Sequence, residues 1–220
     1  MNKLRSIIVA NRNFLLCYGV FLLSGLIFLL AEGKEETFLY LNPYHHSKLD
    51  LFFIWFTYLG DGVFAVAVIV LLLVLRRWTQ ATQLLVAFLL SALFAQILKE
   101  AFQMPRPREF FPPGAYNYFI PGVTHNGHAS FPSGHSTSIF ALATMLAIFD
   151  RNKRLNVLYL LIGVAVGYSR IYLGQHFLTD VLMGSFLGVM TAIGVHWLFL
   201  TKFPSFPRSA RSGPHGPLSP

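Results

Sequence analysis

His176 and Asp180 stand four residues apart in the segment SRIYLGQHFLTD, Ser169 to Asp180. On a helix that spacing puts both side chains on one face, within reach of each other. A carboxylate beside an imidazole fixes the ring tautomer and supports positive charge on it, as the third member of a catalytic triad does. Such a histidine can serve as a nucleophile or as a base. Arg170 comes just before the turn Tyr172-Leu173-Gly174, where its planar fork can meet a bound anion.

Two further segments add to this chemistry. In FPSGHS, Phe131 to Ser136, Pro132 can stop a loop while Ser133 and Gly134 open an apolar helix. The first N–H groups of a helix have no intrahelical partner and bind phosphate well, and glycine lets the anion come close. His135, one residue on, could protonate a leaving oxygen. The third segment, KEAFQMPRP, carries Lys99 and Arg106 with six residues between them, before Pro107. Two histidines, one carboxylate, fixed cations and a helix N-terminus make a phosphate-transfer site without a metal, built on charge stabilisation and an activated histidine.

Taken singly, each feature has an ordinary structural account. An Asp–His pair can be a polar contact between helices, Arg170 a snorkelling anchor, and PSGH only a helix start. The histidines His125, His128 and His135 invite a metal reading, but they bring no cysteine and no helical i,i+4 histidine pair, so none is expected. His125 and His128 read as rim or loop residues, and His45 and His46 as interfacial loop residues. Arg108 either adds charge to the pocket or pairs with Glu109. Asp61 reads as a helix cap, with support of the site from the second span as the alternative, and Cys17 as apolar filler.

The elements that must position these groups are membrane helices. Of the 220 residues 55% are hydrophobic and 12% charged, about half the charged share of soluble domains. Six apolar spans approach the ~20 residues needed to cross hydrocarbon. They run over Phe14–Ala31, Leu51–Leu75, Thr82–Leu98, Ser133–Phe149, Leu155–Tyr172 and Phe177–Leu200. The second is broken at Gly60-Asp61-Gly62, and the first reads as a retained helix with no A-x-A-like cleavage site after it. The net charge of +8 would suit nucleic acid on a soluble face, but the bases fall at the ends of apolar runs and speak instead of topology. With both termini cytoplasmic, eleven of the 17 Lys and Arg residues lie inside. Lys99, Arg106, Arg108 and Arg170 then share the outer face with His135, His176 and Asp180. Ionisable groups at that depth usually mark function. The loop Lys99–Pro132, with its many prolines, cannot be one helix, and its aromatics favour an ordered loop at the headgroup level. One cysteine allows no intrachain disulfide.

K-x6-RP, PSGH and SR-x5-H-x3-D, in that order on adjacent spans, resemble the three-part signature of the type 2 phosphatidic acid phosphatase family, which shares its site with the vanadium haloperoxidases. The match holds at Lys99, Arg106, Pro107, Pro132, Ser133, Gly134, His135, Ser169, Arg170, His176 and Asp180. It implies an all-α, six-helix membrane phosphatase domain over residues 1–202, with its motif core at 99–180, while the prolines of 203–220 read as a disordered cytoplasmic tail. It also implies roles. His176 would form a phosphohistidine with Asp180 holding its ring, and His135 would serve the leaving group and then water. Lys99, Arg106, Ser133, the Gly134 N–H and Arg170 would hold the phosphoryl oxygens, with no metal and no cofactor. The expected substrate is a lipid phosphate or diphosphate: undecaprenyl diphosphate, phosphatidylglycerophosphate, phosphatidate or a lipid A phosphate. The expected setting is a bacterial inner membrane with the site on the periplasmic side, and the partners are the lipid substrate and the bilayer, not nucleic acid. A lipid phosphotransferase and a non-enzymatic phospholipid-binding protein are the alternatives.

Overall fold

The computed structural model describes residues 3–203, and the expected tail beyond Phe203 lies outside them. The described residues form helices without a strand. A short N-terminal helix α1 (Lys3–Ala10) leads into α2 (Arg12–Leu41), then α3 (Ser47–Phe56), a 3₁₀ turn (Thr57–Gly60) and α4 (Gly62–Val74). After these come α5 (Trp78–Phe102), the one-turn α6 (Pro107–Phe110), α7 (Gly134–Phe149), α8 (Leu155–Tyr172) and α9 (Leu178–Lys202). Apolar side chains such as Leu16, Leu23, Ile27 and Leu30 stay exposed along α2, as a lipid-facing surface requires.

By length and apolar composition, the α2, α5, α8 and α9 segments can each cross a membrane, and α3 with α4 make a fifth if the bent pair counts as one span. The expectation of six differs from this at α7. With 16 residues it rises about 24 Å, short of the ~30 Å hydrocarbon core. It is buried along most of its length, packed against α5, α8 and α9, where Phe140, Met145 and Val189 are fully enclosed. The first span ends close to its expected boundary, because α2 kinks at Gly33, two residues past Ala31, and a further helical stretch carries it on to Leu41. Hydropathy marks where hydrocarbon ends, whereas Glu, Lys and Leu go on favouring helix beyond it. At Gly33 the backbone leaves the helical region altogether (φ 81°, ψ 174°), a conformation open to glycine. The break at Gly60-Asp61-Gly62 is present as expected: the two halves bend by 52°, and the Asp61 carboxylate caps α4 by accepting from the Val63 N–H at 2.9 Å.

Small residues set the seam between α7 and α9. A Cβ on Gly184 would lie 2.5 Å from the Ser133 carbonyl oxygen, and one on Gly188 2.5 Å from that of Thr137. Glycine at both places lets the two backbones meet, a common device where helices pack inside lipid. At one end of the bundle, Lys153 Nζ donates to Asn11 Oδ1 (3.0 Å) and the Ala147 carbonyl (2.6 Å), and Lys3 Nζ to the Leu200 carbonyl (2.6 Å). The end of α5, the start of α7, the end of α8 and the start of α9 meet at the opposite end.

Candidate active site

The link from α8 to α9 places the histidine–carboxylate pair. Backbone N–H groups of Gln175 and His176 both donate to the Arg170 carbonyl, at 2.9 and 3.2 Å, which closes the turn after α8. Asp180 lies in the first turn of α9 and accepts from the Phe177 N–H through Oδ2 at 2.9 Å. That bond satisfies an orphan donor of the helix start and fixes the carboxylate. His176 Nδ1 lies 3.4 Å from the same oxygen, with both side chains buried. With a carboxylate at Nδ1, the proton belongs on that nitrogen and the lone pair on Nε2 is left for chemistry. Burial pushes His176 well below its ordinary value, to about 3, against the opposing pull of Asp180. The ring is therefore neutral at pH 7, which is the nucleophilic form.

α7 begins against this pair. The Ser133 N–H donates to the Asp180 carbonyl at 2.9 Å, so the start of α7 is tied to the first turn of α9. Ser133 caps α7, its Oγ accepting from the Ser136 N–H at 3.3 Å and facing Ser136 Oγ at 3.0 Å. Gly134 and His135 follow with N–H groups that no helical carbonyl can reach. His135 is half-buried and packs against Gly60, where a Cβ would come within 3.0 Å of the histidine Cβ and carbonyl oxygen.

Three cations converge on the two rings, close enough for the charges of Lys99, Arg106 and Arg170 to act on His135 and those of Arg106 and Arg170 on His176. Each is parked on neutral partners. Lys99, in the last turn of α5, donates to the Ala129 carbonyl at 2.8 Å. Arg106 Nη1 donates to the Gln175 side chain at 2.9 Å and to its backbone carbonyl at 3.2 Å. Arg170 Nη1 donates to Thr57 Oγ1 at 2.7 Å, while its buried Nε has no partner among the described residues. A buried guanidinium N–H left open is costly, and an oxyanion is the group that answers it.

All eight expected site residues thus come together: His135, His176, Asp180, Lys99, Arg106, Ser133, Gly134 and Arg170. Ser169, also in the motif, turns its hydroxyl to the Val166 carbonyl of its own helix at 2.6 Å. Arg108 settles on neither expected partner and donates to the Thr124 carbonyl at 3.0 Å. His125 and His128 are exposed on the loop. His45 exceeds its interfacial expectation: its ring lies within 3.1 Å of Asp50, Asn42 and Tyr116 and stacks on Tyr172 at 4.3 Å. Sequence reasoning missed Ser130, Gln175, Thr57 and the close approach of Gly60. Gln175 had a signal in its place beside His176; the others acquire their neighbours only through tertiary contact.

The loop between α5 and α7 is ordered by its aromatics. Phe38 of α2 holds Phe111 and Tyr116 of the loop and Phe177 at the start of α9, with ring centroids 5.1–5.4 Å apart. Backbone bonds from Arg106 to Gly127 (2.9 Å) and from Ser130 to Met104 (3.0 Å) close the loop at its base.

Residues 80–204 match the model of the PAP2 superfamily. The chain is 30% identical to a lipid A 4'-phosphatase of Porphyromonas gingivalis, over 78% of this chain and 75% of that protein. It is 32% identical to phosphatidylglycerophosphatase B of Bacillus subtilis, over 61% and 67%. Among solved structures, the crystal structure of Aquifex aeolicus LpxE superposes with a TM-score of 0.66 at 31% identity, covering 74% of this chain and 94% of that one. A PAP2 type phosphatidylglycerolphosphate phosphatase from Bacillus subtilis gives 0.63 at 25% identity, covering 94% and 100%.

Proposed function

Since the chain belongs to the PAP2 superfamily, we propose that it hydrolyses a lipid phosphomonoester or diphosphate at the outer face of its membrane, through a phosphohistidine. One observation carries the reading. The neutral His176 ring, backed by Asp180, faces a set of cations that includes a guanidinium N–H with no partner among the described residues.

In the first step His176 Nε2 attacks the terminal phosphorus and its bond to the leaving oxygen breaks, releasing the lipid alcohol from a monoester or the lipid phosphate from a diphosphate. His135 enters this step as the imidazolium, its charge supported by the bound phosphate, and gives the departing oxygen its proton. In the second step a water gives a proton to His135 and attacks phosphorus, and the P–N bond breaks. Inorganic phosphate leaves and His176 is neutral again. Lys99, Arg106, Arg170 and the N-terminus of α7 stabilise the extra negative charge of each pentacoordinate state. The residues supply nucleophile, acid–base group and charge compensation, so the reaction as drawn proceeds without a metal.

The relatives support a lipid substrate. They include proteins named for lipid A phosphates and phosphatidylglycerophosphate, and an undecaprenyl-diphosphatase of Bacillus subtilis 39% identical over 35% of this chain. The candidates in this reading are those three and phosphatidate, met from the periplasmic side of a bacterial inner membrane. The test is phosphate release from these four lipids by the purified protein, with EDTA present and with or without vanadate. Turnover that resists EDTA and is blocked by vanadate is expected. No release from any of the four, or a strict metal requirement, would overturn the reading.

A further inference from the structure

Outside the motifs, one buried side chain touches the histidine–carboxylate pair. Ser130 is fully enclosed, and its Oγ donates to Asp180 Oδ2 at 2.5 Å. The same Oγ lies 3.5 Å from His176 Nδ1, while Oδ2 itself lies 3.4 Å from that nitrogen. A serine hydroxyl has one proton to give and two lone pairs to accept with. With its proton committed to Asp180, the lone pairs face the ring N–H, which is then shared between two acceptors at nearly equal distance.

We propose that Ser130 is a positioning residue for the phosphohistidine step, acting through both Asp180 and His176. This rests on the function proposed above. When His176 Nε2 bonds to phosphorus the ring becomes cationic, and Nδ1–H turns into a stronger donor that needs a well-placed acceptor. Asp180 Oδ2 already accepts from the Phe177 N–H, so Ser130 sets where the carboxylate stands and adds a second acceptor beside the ring. No bond to Ser130 forms or breaks in the reaction. The backbone of Ser130 is anchored separately, its N–H donating to the Met104 carbonyl at 3.0 Å. Removal of the hydroxyl should therefore leave the loop closed.

The experiment compares the unaltered protein, Ser130→Ala and Ser130→Thr on whichever of the four lipids the unaltered protein hydrolyses fastest, with melting temperature measured alongside. For Ser130→Ala the expected result is a fall in kcat of ten- to a hundredfold, on the order of one lost interaction with a charged group. KM should stay within about threefold and melting within a few degrees, because ground-state binding and the fold do not depend on this hydroxyl. Ser130→Thr, which keeps the hydroxyl, is expected to hold kcat within about threefold of the unaltered protein. Unchanged kcat in Ser130→Ala overturns the inference. So does a loss of activity that comes with unfolding, or a Thr variant no better than the Ala variant. No turnover by the unaltered protein overturns the proposed function and this inference with it, whereas an active parent beside a fully active Ser130→Ala overturns the inference alone.

Discussion

A neutral imidazole buried beside a carboxylate behaves unlike one in water, and His176 should show it in two ways. With its value pushed down to about 3 by burial, the free enzyme's activity between pH 5 and 7 should carry no limb from this ring. The same shift links it to stability. The unfolded chain takes up a proton near pH 6.5 that the folded ring refuses until about 3. Its contribution is therefore whole above pH 6.5 and is lost as pH falls towards 3, by at most about 1.4 kcal/mol per pH unit. Melting temperatures of the parent and His176→Gln, compared from pH 4 to 7, should diverge in that sense, the variant showing the shallower slope. For turnover, His176→Ala should leave no phosphoenzyme, and His135→Ala should cut kcat by roughly 10²–10⁴-fold without changing the melting temperature. Full activity in either variant would overturn its assigned role. Much of the site at this scale was legible, because motif spacing carries residue types that only phosphate chemistry needs together. Ser130 was not, since its meaning comes from closure of the loop between Met104 and Ser130.

At the scale of elements, the seam between α7 and α9 does two jobs: it packs the bundle and it places the start of α7. A Cβ on Gly184 would come 2.5 Å from the carbonyl of Ser133, the residue whose N–H is tied to Asp180. Gly184→Ala should thus lower kcat as well as melting temperature, because α7 must shift away from the pair. Gly19 provides the control, since a Cβ there meets nothing within 4 Å. Gly19→Ala should keep full activity and gain about 0.5–1 kcal/mol in stability. A Gly184→Ala enzyme with parental kcat would separate the seam from the chemistry. Helix identity was readable from apolar runs, but helix length was not. A second helical stretch follows the kink at Gly33 in α2, and α7 is shorter than a membrane is thick because packed neighbours, rather than lipid, cover most of it. Hydropathy cannot distinguish a buried helix from a lipid-facing one.

Across the whole molecule, the described contacts place α1, the connection from α7 to α8 and the end of α9 at one end of the bundle, with the motif residues at the other. Reporters fused after Leu75 and after Arg151 should read the same compartment, and one inserted near Gly114 the opposite. The first two should be cytoplasmic, and a periplasmic signal after Leu75 would invert the proposed placement of the site. The lipid itself is the part least written in the sequence, since phosphate grips are common to every candidate and selectivity falls to the loop and lipid-facing surfaces.

The neutral partners of the three site cations have a further consequence. Among the described residues, the close contacts of a basic side chain with a carboxylate are His45–Asp50 and His176–Asp180, and Lys99, Arg106 and Arg170 hydrogen-bond to carbonyl, amide and hydroxyl oxygens instead. Asp180 acts on Lys99 and Arg106, and Asp61 on Arg170, but against two carboxylates the three cations leave the resting pocket net positive. Any small oxyanion should enter it, the enzyme's own product included, and the mobile ions of the buffer should flatten it as the Debye length shrinks from about 10 Å at 0.1 M salt to about 3 Å at 1 M. Inorganic phosphate should accordingly compete with the lipid, and its inhibition constant should rise with ionic strength. In a cell, the free phosphate outside the membrane would then act as a brake on the rate at which this enzyme clears its lipid.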